Sequence, residues 1–376
     1  MKSFASKHSE LLETLFLALL VGAFAFRSIA LALFFAVVVG ALVMASVRLL
    51  AQGTNREKNA MLALAALLTI ALPISVMRNE TSMLHYCIAM SAMAAAFVLT
   101  RDLRAYRQAS RFTLFGAQCA VLIYLLQHGL GDFPLENIIP DSSANGVTSY
   151  LVVLQINYCL INYLQTKRFS SLTSLATVGI AVVGYSRGSI LAAVAILTIN
   201  LVFATFSGSR TRGIVAVAGS LVVLGFSVAQ YSDLISDFVV ANTKIGSGLY
   251  DLHRTAIISD YFRAMNGLTL ITGVDYQGTV IANEYNGNPH NSFIRAHHIF
   301  GLPYLLSICA FPVYLCNKLH RWNVKAYAAL LGLVLLFRAA TEPVLFPTML
   351  DVLFFAACFA LARTPQRAGD IAIGMR

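Results

Sequence analysis

Ile29-Ala30-Leu31-Ala32-Leu33-Phe34-Phe35-Ala36-Val37-Val38-Val39-Gly40-Ala41-Leu42-Val43-Met44-Ala45-Ser46-Val47 runs for nineteen residues without a charge. A bilayer core accepts about 20 apolar residues as a helix. Backbone N–H and C=O groups in lipid must be paired within the segment, so such a run is read as a spanning helix. Outward from it, comparable runs lie at 11–26, 60–77, 83–100, 112–128, 147–165, 169–185, 189–206, 213–230, 293–316, 325–341 and 345–362. The sequence therefore predicts an all-α membrane protein of about twelve transmembrane helices. Eleven is the alternative, because only Arg27-Ser28 separates the first two runs.

Composition agrees. Apolar residues make up 58% of the chain and charged residues 12%, and the mean hydropathy is +0.73, which excludes an ordinary soluble domain. The net charge of +10 does not point to nucleic acid. The basic residues sit in short turns between apolar runs, as topology signals do, and no basic face or soluble module is present. The six cysteines (Cys87, Cys119, Cys159, Cys309, Cys316, Cys358) lie in or beside apolar runs without a C-x-x-C pair. They are read as packing residues rather than a disulfide framework or zinc site. The polar segment Met1 to Glu10 precedes a run with no small-residue cleavage site, so no cleaved signal peptide is expected.

With twelve spans and a cytoplasmic N-terminus, nineteen of the 27 Lys and Arg fall inside. This asymmetry places both termini inside. Eight basic residues fall on the other side: Arg27, Arg78, Arg187, Lys244, Arg254, Arg263, Arg295 and Arg338. Two outward loops stand out. His128 to Gly146 carries Asp132, Glu136 and Asp141 among turn residues. Tyr231 to about His290 is the only extramembrane stretch long enough for structure of its own. Within it, Leu252, Ala256, Ile257, Tyr261 and Met265 recur at helical spacing, which predicts a helix lying on the membrane. The chain thus divides into helices 1–9 (1–230), the long loop between helices 9 and 10 (231–292), and helices 10–12 with a short cytoplasmic tail (293–376).

That loop ends in Asn288-Pro289-His290-Asn291-Ser292-Phe293-Ile294-Arg295-Ala296-His297-His298, a dense polar patch where an apolar run begins. Ionisable groups at a bilayer boundary are costly unless used. His290 is either a helix-cap or interface histidine, or a base able to take a proton at neutral pH. His297 and His298 are read as packing or hydrogen-bonding histidines without a metal partner. In Tyr185-Ser186-Arg187-Gly188-Ser189, Arg187 either snorkels from a helix hairpin or grips a phosphate through its planar fork. Arg254 and Arg263 are solvated loop charges or, with Arg187 and the His290 segment, a basic pocket for a pyrophosphate. Arg338 and Glu342 are spaced to pair with each other. Asp351, inside an apolar run, is expected to pair with a neighbouring helix.

At these residues the chain resembles the bacterial O-antigen polymerase and O-antigen ligase superfamily of polytopic membrane glycosyltransferases. His290-Asn291, nine residues, Gly301, Leu302-Pro303 and Tyr304 fit the ligase-type pattern of His, Asn/Ser/Gln, nine residues, Gly, two residues, then Gly/Thr/Tyr. Arg254 precedes the apolar run closed by Gly273, and Ser186-Arg187-Gly188-Ser189 resembles the family's earlier outward arginine. The likeness covers the chain from about Ile139. It departs at Ile258, where the family often has an aromatic residue. The polymerase spacing of Arg, ten residues and Gly is met by neither Arg187 (Thr198) nor Arg254 (Met265). Arg263 misses it by one, with Gly273 ten residues on, and so competes with Arg254 for the second arginine role.

The resemblance implies a GT-C-like arrangement in the bacterial inner membrane, with the long loop and active site facing the periplasm. The donor is a glycan on undecaprenyl pyrophosphate. Arg187 and Arg254 hold the pyrophosphate, His290 is the general base, and Arg263, Asn291, Arg295 and Arg338 bind substrate. The transfer inverts the anomeric carbon and needs no cofactor or metal. The acceptor is a lipid-linked repeat unit for a polymerase or lipid A core for a ligase. The pattern at His290 leans to ligase, whereas the short chain, Ser143-Ala144-Asn145-Gly146 and the Arg187 turn lean to a polymerase of O-antigen or exopolysaccharide, the preferred reading. Membrane lipids are obligatory partners, a chain-length regulator is a further candidate partner, and nucleic acid is not one. The competing class is a transporter or flippase, which two similar halves with broken helices would favour; here the polar loop has no counterpart in the first half.

Overall fold

The computed structural model describes residues 2–26, 30–78, 81–129, 134–136, 138–139, 143–207 and 252–364. The described residues form helices and turns, without strands. The helices are α1 (Lys2–Phe26), α2 (Leu31–Gln52), α3 (Asn55–Thr69), α4 (Leu72–Arg78), α5 (Ser82–Leu99), α6 (Leu103–His128), α7 (Ala144–Thr166), α8 (Ser171–Val183), α9 (Arg187–Ser207), α10 (Leu252–Arg263), α11 (Gly267–Thr272), α12 (Val280–Tyr285), α13 (Ser292–Lys318), α14 (Trp322–Thr341) and α15 (Asp351–Arg363).

Seven of these (α2, α5, α6, α7, α9, α13 and α14) are long and apolar enough to cross a membrane. The run at 60–77 is instead two helices, α3 and α4, bent by 42° at Ile70-Ala71. The runs at 11–26 and 169–185 give shorter apolar segments, Leu11–Ala23 and Ser171–Val183. In the run at 345–362, only the part from Asp351 is helical; residues 345–350 form buried turns. The run at 213–230 lies outside the described residues, as do Arg27, Asp132, Asp141, Lys244 and the loop from 231 to 251. The chain is thus a multi-pass helical membrane protein with seven candidate spans, or eight counting the bent pair, among the described residues.

Two compact units emerge. The first comprises residues 1–110, 251–325 and 339–376. Here α5 packs on α2 and α15, and α13 packs on α3, α4, α11 and α15. α5 carries the small residues Ser91, Ala92, Ala94, Ala95 and Ala96, all buried; lacking a hydrophobic driving force in lipid, helices associate through the close packing such residues permit. Ser91 adds a hydroxyl bond to the Val38 carbonyl at 2.7 Å. Arg363 of α15 caps the end of α5, donating to Thr100 Oγ1 (2.8 Å) and Phe97 O (3.2 Å) with its guanidinium 4.8 Å from the Phe97 ring.

The second unit comprises 111–250 and 326–338. Its axis is α7, buried almost end to end and packed on α8 and α9. Gly184, just after α8, lets that helix approach: a Cβ there would lie 2.2 Å from Thr148 Cγ2.

Candidate functional site

The amphipathic helix predicted within 251–265 is α10, and its apolar face joins a small cluster that reaches to the start of α13. Ile257, Tyr261, Val274, Ile281 and Ile294 are buried together, with Met265, Tyr276 and Tyr285 against them. Three devices fix the chain around this cluster. Asn266 and Thr269 form a reciprocal capping box at the start of α11. Arg78 satisfies the other end of α11, donating to Gly273 O at 2.6 Å and Thr272 O at 2.8 Å. Gly273 itself has φ +91, and a Cβ on it would sit 2.1 Å from the His297 carbonyl. A glycine is therefore required where α11 meets α13.

His297 and His298 rivet the cluster to α13. His297 Nε2 lies 2.7 Å from the Leu270 carbonyl, so that nitrogen carries the proton; Nδ1 then accepts from the Tyr261 hydroxyl at 2.7 Å. The Tyr261 oxygen in turn accepts from the Val274 N–H at 3.3 Å. His298 Nδ1 donates to Val274 O at 2.6 Å while its ring stacks on Tyr276 at 3.8 Å. Burial pushes the Tyr261 phenol above its ordinary pKa, the Val274 N–H opposing, and pushes Tyr276 well above it. Both phenols remain neutral at physiological pH; Tyr261 donates to His297, whereas the buried Tyr276 hydroxyl meets no hydrogen-bond partner among the described residues. These histidines are structural.

His290 is placed differently. It is half-buried, one residue before the Asn291 that caps α13 by accepting from Phe293 N (2.8 Å) and Ile294 N (3.2 Å). Its backbone is left-handed (φ 48), held by its N–H donating to Asn288 Oδ1 at 3.0 Å. Its ring meets Tyr285 edge-on at 5.7 Å.

Directly after it, Ser292 reaches a buried non-helical segment, residues 342–350. Its hydroxyl donates to Glu342 O at 2.7 Å and accepts from Leu345 N at 3.1 Å. Arg295 donates to the carbonyls of Pro343 (2.5 Å), Leu345 (2.6 Å) and Phe346 (3.3 Å). Asp351 accepts from Phe346 N (2.8 Å) and Thr348 N (3.1 Å). Irregular backbone at membrane depth survives only when protein satisfies its polar groups, and these side chains do so. Asp351, expected to pair with a neighbouring helix, closes its own turn instead. Arg295, expected to hold substrate, is engaged by backbone carbonyls.

Glu342 opens this segment, and Arg254 Nη2 donates to its Oε1 at 3.2 Å. Helical spacing pointed to Arg338 as a partner of Glu342; the contact with Arg254, between residues 88 apart, is one that local spacing does not suggest. Arg254 thus connects through Glu342 and Ser292 to the His290-Asn291 cap. Arg263, at the other end of α10, is exposed. Along α10, Ile258, Tyr261 and Phe262, followed by Met265, share a face at helical spacing from Arg254. They line a cleft of about 230 Å³ with Leu270, Asn291, Phe293, Ile294, His297, Leu302 and Leu305. Its wall is apolar and Asn291, at the start of α13, lies on its rim.

Of the residues predicted from sequence, His290, Asn291, Arg254, Arg263 and Arg295 belong to the first unit, and Arg187 and Arg338 to the second. Arg187 is half-buried at the first turn of α9. Arg338 is fully buried and donates to Ser149 Oγ. The residue just before Ser149 on α7, Thr148, donates to Ser189 Oγ at 2.8 Å, two residues beyond Arg187. Among the described residues no three His, Cys, Asp or Glu side chains gather as a metal site. The sequence reading missed Glu342 as the partner of Arg254 and Ser292 as the link to His290; Ser292 beside the His-Asn pair was the available signal.

Compared with family models, curated proteins and solved structures, the chain matches none.

Proposed function

We propose that this protein is an inner-membrane glycosyltransferase of the O-antigen polymerase and ligase type. In this reading it crosses the membrane about twelve times, with α10 to α12 facing the periplasm. It moves a glycan from undecaprenyl pyrophosphate to a sugar hydroxyl of a lipid-linked repeat unit. The observation that carries this reading is the grouping in one unit of a cation, a histidine and an apolar cleft. Arg254 stands at one end of the α10 face that lines the cleft, and the His290-Asn291 cap stands at the start of the α13 face that lines it. A charged head beside an apolar trough suits a lipid phosphate.

The roles follow from chemistry. A guanidinium can donate two parallel bonds to phosphate oxygens and cannot lose its charge, so Arg254 neutralises the departing pyrophosphate. The half-buried imidazole of His290, fixed by a left-handed backbone and an edge-on tyrosine, takes the proton from the attacking hydroxyl. Attack from the face opposite the leaving pyrophosphate inverts the anomeric centre. Arg263 and Asn291 complete substrate binding.

A ligase using lipid A core as acceptor is the second reading. The observation favouring it is that the ligase-type pattern has structural meaning: its glycine, Gly301, breaks α13 at φ +71, and a Cβ there would lie 2.2 Å from Ile271 O. The test is transfer in liposomes with a lipid-linked repeat unit as both donor and acceptor. The polymerase reading expects a ladder of longer lipid-linked glycans that disappears in His290→Ala. Product only after lipid A core is added makes the protein a ligase, and no product in either condition counts against both.

A further inference from the structure

Glu342 has no part in the transfer chemistry described above, yet it touches its principal cation. Its carboxylate is nearly buried, with 8% of the side chain exposed, against 31% for Arg254. It does not sit on a mobile arm. Its own carbonyl receives the Ser292 hydroxyl, and the segment it opens is fastened by Arg295 and Asp351. The carboxylate is therefore held at Arg254 by a hydrogen-bonded backbone, while the Arg254 side chain extends from α10 and is about a third exposed. A carboxylate and a phosphate present similar planar oxygen pairs to an arginine.

We infer that Glu342 is a positioning residue that occupies the anion site on Arg254 until the pyrophosphate of the donor displaces it, and that reoccupies the site to expel the product. The inference rests on the glycosyltransferase reading for the identity of the anion. When pyrophosphate arrives, Arg254 exchanges one oxygen partner for another and its charge stays matched. When the sugar has left, the anchored carboxylate competes for the same donors. A fixed internal competitor lowers affinity for donor and product alike and raises the rate of release.

The test is binding of inorganic pyrophosphate to the full-length protein in nanodiscs, by calorimetry, with Glu342→Gln, Glu342→Asp and Arg254→Gln beside wild type. Glu342→Gln keeps an acceptor for Arg254 but removes the competing charge, and roughly tenfold tighter binding is expected, the weight of one charge-assisted hydrogen bond. Glu342→Asp, shorter by one methylene, gives a smaller gain and serves if the glutamine variant does not fold. Arg254→Gln abolishes binding. In transfer assays Glu342→Gln lowers both KM for the donor and kcat, because product leaves slowly; a purely structural role moves neither in that combination. Unchanged or weaker pyrophosphate binding in a folded Glu342 variant overturns the inference. Failure of the glycosyltransferase reading looks different: no variant forms product, while the difference in pyrophosphate affinity persists.

Discussion

Two polar regions in this protein solve the same problem in opposite ways. In the second unit, Gln118, Gln155, Thr173, Ser174, Thr177, Asn200 and Tyr327 join α6, α7, α8, α9 and α14 through uncharged groups. Tyr327 donates to Asn200 Oδ1 (2.6 Å), Asn200 to Ser174 Oγ (2.7 Å), Gln155 to Ser174 Oγ (3.1 Å), Thr177 to Gln155 Oε1 (3.0 Å) and Gln118 to Thr177 Oγ1 (2.9 Å). Side chain answers side chain, and the network is closed. In the first unit, Arg254, Glu342, His290, Arg295 and Asp351 are ionisable and grouped around irregular backbone. One has the character of interhelical glue; the other has the character of a site. The difference teaches that burying polar groups in a membrane does not by itself mark function, and that the two regions are to be told apart by charge and by the backbone they serve.

The largest break in this comparison should come from Arg295→Ala. It strips donors from three carbonyls of the 342–350 segment, each worth roughly 1–3 kcal/mol when left unmet. Thermal unfolding in detergent should register a loss of about 3–5 kcal/mol. Gly301→Ala comes next. It forces a Cβ against Ile271 O at a left-handed φ, and a loss of about 3 kcal/mol is expected in the same measurement. Asn200→Leu removes the centre of the uncharged network. Interhelical hydrogen bonds in bilayers are individually weak, so about 2 kcal/mol is expected, with transfer per folded molecule unchanged. The smallest effect belongs to Asn291→Ala, which loses the α13 cap at about 1 kcal/mol, while Asn291→Asp retains it.

Hydropathy made much of the architecture legible. Residues 31–47 of the run fall within α2 (Leu31–Gln52), and 293–316 falls within α13 (Ser292–Lys318). It failed where apolar composition hides a change of backbone. The run 60–77 stays apolar through its bend at Ile70-Ala71, with Pro73 in the first turn of α4 as the overlooked sign. Leu345, Phe346, Met349 and Leu350 are buried but not helical. Hydropathy reports burial, and burial is compatible with turns when Arg295 and Asp351 supply the missing partners. At the candidate site, the density of the 288–298 patch drew attention to a segment whose side chains fasten α11 and the 342–350 turns to α13. Its individual roles were not readable. His297, Arg295 and His290 look alike as letters, and only the fold shows that the first two bond backbone carbonyls. The Arg254–Glu342 contact was invisible because local spacing offered Glu342 a nearer arginine.

The most direct test of the account compares turnover per folded molecule for Arg254→Gln and Asn200→Leu in one liposome assay, with thermal unfolding of each. The account predicts that Arg254→Gln, which leaves the nearly buried Glu342 carboxylate without this partner, melts lower than wild type and loses transfer per folded molecule by about a hundredfold or more. Asn200→Leu should melt lower but transfer normally wherever it is folded. Full transfer by folded Arg254→Gln would contradict the account, because the first unit's charged cluster would then be as structural as the second unit's neutral one.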